Sequence, residues 1–402
     1  MTEMQTSENS PKKAPAREFF GALDGFRGAL ALLIAVYHTI WQTHINSSDF
    51  LNNGQVLVDL FFVFSGFLMF LLYRGKLNSP RQGFDFIKRR IARIYPLHFF
   101  MLMIFVAFQA VRIVSHKVGL SVVEPGEIMP FTQGSPETFA SFLANLTLTQ
   151  SMGLFDSLTF NPPAWTVSVE FYTYFVFLGM MAFFPPKTRL HFGIIAVMIA
   201  TLYFRLSQLK PDMDFHYDYG FWRCLAGFYS GVLSAWIYRG LKDKTDAITS
   251  RLPFHALEIF TLAVLYLFIV NFTGRLQFLF APLAILFVLT FAIGRGGISD
   301  FMSTKIMLYL GKISYSIYLV HVLISIGFTV FAERILPGIF GPDWNASGFG
   351  GDFLLLPYLS LVIFVSHFTY KYIERPGQKA ILSYRGSNRI RSWVGKPPLP
   401  AP

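Results

Sequence analysis

Residues 24–38 read DGFRGALALLIAVYH, an apolar run that carries an ion pair at one end and an imidazole at the other. Arg27 and His38 are eleven residues apart. On a straight helix they fall within about 20° of the same face and ~16 Å apart along the axis. Asp24 precedes Arg27 by three residues, within pairing reach. An ionisable group inside a bilayer costs a few kcal/mol and usually lines a polar cavity. The stretch therefore predicts a membrane-spanning helix with a cation at its mouth and a titratable base deeper on the same side, a site reached from one membrane face.

The rest of the chain supplies a bundle to house it. Its 402 residues are 53% hydrophobic and only 14% charged, below the charge of a water-soluble domain of this size. Apolar windows of membrane length fall near 25–42, 56–73, 95–114, 165–185, 191–206, 220–238, 254–272, 276–294, 313–332 and 353–372. The segment at 191–206 is short enough to be tilted or broken. The expected fold is an all-α, polytopic transmembrane bundle of about ten spans. If the N-terminus is cytoplasmic, the inner segments hold 26 Lys and Arg and the outer ones 5, so both termini are expected inside. The net charge of +11 then reads as juxtamembrane anchoring, with no nucleic-acid partner. Residues 1–20 read as a disordered cytoplasmic tail, 21–376 as the membrane domain and 377–402 as a basic cytoplasmic tail. The single Cys224 excludes a disulfide within the chain. No HExxH, CxxC or Walker-type pattern occurs, so neither a metal nor ATP is expected. In the large outer loop, 115–164, Phe139, Phe142, Leu143 and Leu146 recur at helical spacing and predict a short helix.

Depth sorts the ionisable residues. With the first span running outward, His38 falls in the outer half of the bilayer. Asp59, in VLVDLFFVFSGFL, and Glu170, in PPAWTVSVEFY, lie one to two turns below the same surface. Their shared level predicts one polar cavity. At the inner face Lys88, Arg89, Arg90 and Arg93 crowd FIKRRIARIYPLH, level with Arg27. Inner helix ends carry such residues as topology anchors, yet Arg90 and Arg93, three apart, also suit a phosphate.

DGFRG followed by His38, VDLFFVFSGFL, RRIARIYPLH, PPAWTVSVEFY, GKISYSIYLVH and the late IERP resemble the signature of the acyltransferase family 3 membrane proteins. The similarity runs over roughly residues 20–376. It implies transfer of an acyl group, usually acetyl from acetyl-CoA, across the bacterial inner membrane to a hydroxyl of a surface glycan. The family's Arg and His fall on Arg27 and His38, its paired arginines on Arg90 and Arg93, and its tryptophan-to-glutamate block on Trp165 and Glu170. Phe171 stands where many relatives carry a second glutamate.

The resemblance gives the residues roles. His38 becomes the general base for a sugar hydroxyl, with an acyl-histidine as the other route. Glu170 or Asp59 would orient the imidazole or hold acceptor hydroxyls. Arg27, Arg90 and Arg93 would bind the phosphates of acetyl-CoA, a co-substrate and not a resident cofactor. Trp165 is expected at the acceptor, and His321 either there as a second cavity residue or as a packed, hydrogen-bonded histidine. Ser65 and Gly66 would either admit the pantetheine arm or let helices approach closely. The implied partners are the lipid bilayer, acyl-CoA and a glycan or lipid-linked saccharide; the acceptor's identity and the oligomeric state stay open at this level. The rival class is a carrier or flippase, because buried Asp, Glu, His and Arg also mark proton-coupled transporters.

Overall fold

The computed structural model describes residues 18–119, 128–345 and 348–384. Ten long helices occur among them: α1 (Gly21–Tyr37), α2 (Leu57–Tyr73), α3 (Pro80–Lys117), α4 (Ala164–Phe183), α5 (Arg189–Leu209), α6 (Gly220–Asp246), α7 (Leu252–Asn271), α8 (Phe280–Ile293), α9 (Lys305–Val330) and α10 (Phe349–Thr369). No strand is present among the described residues. The chain is a polytopic helical bundle. Eight of its helical stretches are long and apolar enough to cross a membrane; α1, at 17 residues, and α6 fall outside that set. The reason for α6 is its position, because it is enclosed by other helices and carries Arg223, Ser230 and Ser234 where a lipid-facing helix would carry apolar groups.

Two helix pairs set the packing, and glycine sets both. A Cβ on Gly66 or Gly231 would overlap the Phe228 or Val63 carbonyl, so α2 and α6 touch backbone to backbone. Gly28 and Gly311 do the same for α1 and α9. Close approach of this kind replaces the hydrophobic drive that lipid removes. Gly66 therefore serves packing.

Several boundaries differ from the sequence reading. The 191–206 segment is one unbroken helix of 21 residues. α3 runs well before the apolar window, because Ser79 caps it and Pro80 suits a first helical turn; its basic stretch is thus helical and continuous with the span. The short loop helix forms at Phe139–Leu146 behind a capping box of Thr138 and Ser141. The expected boundary at 376 falls inside helix: Arg375–Ser383 follows α10 through a π-turn, and Lys88 Nζ donates to the Leu382 and Tyr384 carbonyls. The remainder of both tails and residues 120–127 lie outside the described residues.

The helices alternate in direction. At one end, here called the basic end, Glu18 before α1 meets Lys242 and Tyr238 of α6. At the far end Gln55 donates to Gln277 and His44 pairs with Asp352.

Candidate functional site

A cavity of about 1790 Å³ opens between α1, α2, α3, α4, α6 and α9. It follows α2 from Val58 to Tyr73 and α4 from Thr166 to Met181, nearly the whole length of each helix. Its mouth, at the basic end, carries Arg74, Lys76, Lys187 and Arg239. Arg27, Arg90 and Arg93 line it further in.

The three arginines differ in their partners. Arg27 Nη1 donates to Asp24 at 3.4 Å, the pair their spacing predicts. Arg93 is tied to Glu374, which is 1% exposed and also accepts from Ser316 at 3.0 Å; the Arg93 guanidinium lies 5.3 Å from the Tyr315 ring centroid. Arg90 sits over the Phe86 and Tyr174 rings at 5.9 and 5.6 Å, and its buried Nε has no hydrogen-bond partner among the described residues. A half-buried cation with an unfilled, buried Nε donor, lining a large cavity, suits an anionic guest. Glu170 belongs to this wall: Tyr174 donates to it at 2.8 Å, and the Tyr174 hydroxyl lies 3.1 Å from Ser65 Oγ.

His38 lies apart, at the far end, where it caps α1. Its Nδ1 is 2.9 Å from the Ile34 carbonyl oxygen, which only accepts, so Nδ1 carries the proton. His321 Nδ1 donates likewise to Ile317 at 3.2 Å, which leaves His321 Nε2 as an acceptor 3.3 Å from His38 Nδ1. The remaining nitrogen, His38 Nε2, carries the lone pair and has no hydrogen-bond partner among the described residues. Ser325 donates to the His38 carbonyl at 3.0 Å, and Tyr358 donates to the Ala35 carbonyl at 3.0 Å, which joins α1, α9 and α10 around the pair. His321 is fully buried, whereas His38 keeps partial exposure.

Asp59 forms a third cluster. It is fully buried and takes Arg223 Nε at 3.2 and 3.1 Å and Nη2 at 2.7 Å. Arg223 also donates to the carbonyls of Gln55 and Phe215, at 2.7 and 3.3 Å, and stacks 5.4 Å from the Trp165 ring. Trp165 in turn meets His216 edge-on at 5.0 Å. Burial and the Arg223 guanidinium push the His216 imidazole down to about 4, so it packs as a neutral ring.

The single polar cavity expected for His38, Asp59 and Glu170 is thus corrected to three separate settings. Asp59 holds Arg223, Glu170 lines the arginine cavity and His38 pairs with His321. Helical phase places each residue along its own helix but does not give the neighbour it faces. Trp165 stands on the Asp59 cluster, and His321 stands behind His38. Arg223, Glu374, Tyr174 and Tyr315 were given no role by the sequence. Two signals pointed to them: Arg223 and Asp59 are opposite charges stranded in apolar spans, and Glu374 is the acid of IERP.

Comparison with known proteins bears on the family of the chain. The profile of the family described as Acyltransferase domain, Acyl_transf_3, matches residues 20–366. The O-acetyltransferase OatA of Staphylococcus aureus is 22% identical over 386 residues, 92% of this chain and 58% of the relative. The peptidoglycan O-acetyltransferase OatA of Listeria monocytogenes is 22% identical over 407 residues, 95% of this chain and 60% of the relative. A shorter match, 36% identical over 97 residues, covers 23% of this chain and 46% of Protein 2 in picA locus of Rhizobium radiobacter. The chain therefore spans less than two thirds of the OatA proteins. No solved structure matches. With the profile running from the first residues before α1 into α10, the chain belongs to acyltransferase family 3.

Proposed function

We propose that this protein is a multi-pass O-acyltransferase of the bacterial inner membrane. It moves an acyl group, acetyl, from cytoplasmic acetyl-CoA to a hydroxyl of a glycan on the other side. The observation that carries the reading is the long cavity: it starts at a basic mouth, passes three arginines and runs along α2 and α4 toward the end of the bundle where His38 lies. Arg27, Arg90 and Arg93 hold the phosphates of CoA. The rise from Arg27 to His38, ~16 Å on a helix, is close to the length of an extended pantetheine arm. The thioester then arrives at the depth of His38.

His38 Nε2 takes the proton of the acceptor hydroxyl as its oxygen attacks the thioester carbonyl. The C–O bond forms, the C–S bond breaks, and the imidazolium returns its proton to the departing thiolate of CoA. His321 acts through His38, holding the tautomer that exposes Nε2. The name of the Listeria monocytogenes relative makes a peptidoglycan hydroxyl the first acceptor to try.

The test uses the purified protein in lipid nanodiscs with acetyl-CoA and peptidoglycan fragments, and reads release of free CoA and acetylated product by mass spectrometry. Wild type should release CoA in step with product. His38→Ala should lose roughly 10²–10⁴-fold in rate, as expected for loss of a general base. Movement of saccharide across proteoliposomes with no CoA released would favour the carrier reading instead.

A further inference from the structure

Arg27, Arg90, Arg93, Tyr315 and Tyr318 all line the cavity, but His38 and His321 are not among the residues that do. What separates them is thin. Tyr318 sits one turn before His321 on α9, and their ring centroids are 5.9 Å apart. The Tyr318 ring also lies 6.1 Å from that of Phe61, which lines the same cavity from α2. Tyr318 itself is 8% exposed. The aromatic pair therefore stands in the cavity wall, whose lining reaches one turn beyond Phe61 to Val58, and the Tyr318 ring is shared between that wall and His321.

We propose that Phe61 and Tyr318 form the partition through which the acyl group must pass, and that their bore selects a short acyl chain. This rests on the transfer reading above. The acyl end of the thioester leads the pantetheine arm, so it is the part that meets the partition first. Two rings at 6.1 Å are in mutual van der Waals contact, so one must turn aside before anything passes. An acetyl group asks for a small displacement. Each further methylene needs room in walls that are packed at interior density, where overfilling is penalised. Phe61 and Tyr318 are therefore specificity-determining residues, and they act on the acyl chain alone. The phosphates bind elsewhere, at the arginines.

The experiment is a donor panel of acetyl-, butyryl- and hexanoyl-CoA, offered to wild type, Phe61→Ala, Tyr318→Ala and Phe61→Trp in nanodiscs. Acylated product and the Kd for free CoA are measured for each, and size-exclusion profiles report folding. Wild type should prefer acetyl. Phe61→Ala should raise the hexanoyl-to-acetyl ratio of kcat/KM by roughly tenfold or more, the discrimination that one or two misfitting methylenes give in a closed pocket. Tyr318→Ala should move the ratio the same way. Phe61→Trp, which narrows the bore, should slow acetyl transfer while Kd for CoA stays within about twofold. If the alanine variants fail to fold, the Trp variant decides alone. An unchanged acyl ratio in folded alanine variants, unslowed acetyl transfer by the Trp variant, or a wild type that takes hexanoyl as readily as acetyl would overturn the partition. Absence of transfer from every acyl-CoA by wild type would instead remove the function on which it rests.

Discussion

Arg90 and Arg93 come from one turn of one helix, yet they are differently employed. Arg93 already spends its charge on Glu374, whereas Arg90, among the described residues, lies against aromatic faces and keeps an unfilled Nε. The two should therefore separate in kinetics. Arg90→Ala should raise the KM for acetyl-CoA by roughly tenfold or more with little change in melting temperature, the scale of one lost charge-assisted hydrogen bond. Arg90→Lys should recover part of it, because a point charge lacks the fork. Arg93→Ala should also lower the melting temperature, since it strands a buried carboxylate. Equal effects of the two alanines on both measurements would mean that their different partners do not matter.

At the level of helices, the Asp59–Arg223 pair ties the first turn of α2 to the first turn of α6 and holds the 210–219 loop through the Phe215 carbonyl. Asp59→Ala leaves a buried guanidinium uncompensated and should destabilise the protein by about 3–5 kcal/mol. Asp59→Leu combined with Arg223→Met should recover much of the loss in thermal melts, with the transfer rate following stability. A folded Asp59→Ala protein that melts normally but cannot transfer would return Asp59 to the chemistry. The same pair shows what a sequence of this type can and cannot convey. Lipid forces apolar runs to be helices, so all ten long segments and even the Phe139–Leu146 loop helix were readable from spacing. So was the Asp24–Arg27 contact, because it is made within one helix. Partners between helices were not. Asp59 with Arg223, Glu374 with Arg93 and His321 with His38 are separated by 164, 281 and 283 residues. Each depends on the rotation of one helix against another, which glycine contacts such as Gly66 on Phe228 fix and which no single segment encodes.

For the whole molecule, the question is which end faces which side of the membrane. Cys224 is fully buried, so introduced cysteines can report without background. Leu154→Cys, on the exposed far loop, should react with an impermeant maleimide on intact cells, whereas Arg81→Cys should react only after permeabilisation. Labelling of both from one side would reverse or abolish the proposed direction of transfer. That direction has a consequence for energetics. The arginines sit in the cavity that opens at the basic end, and on the proposed reading they keep every phosphate of the donor there. What crosses the remaining thickness is an uncharged acetyl group. Moving a single elementary charge through a potential of 100 mV involves about 2.3 kcal/mol; moving none involves none. The reaction would then be electrically silent, running at the same rate in an energised cell as in a depolarised one, and drawing its whole driving force from the thioester.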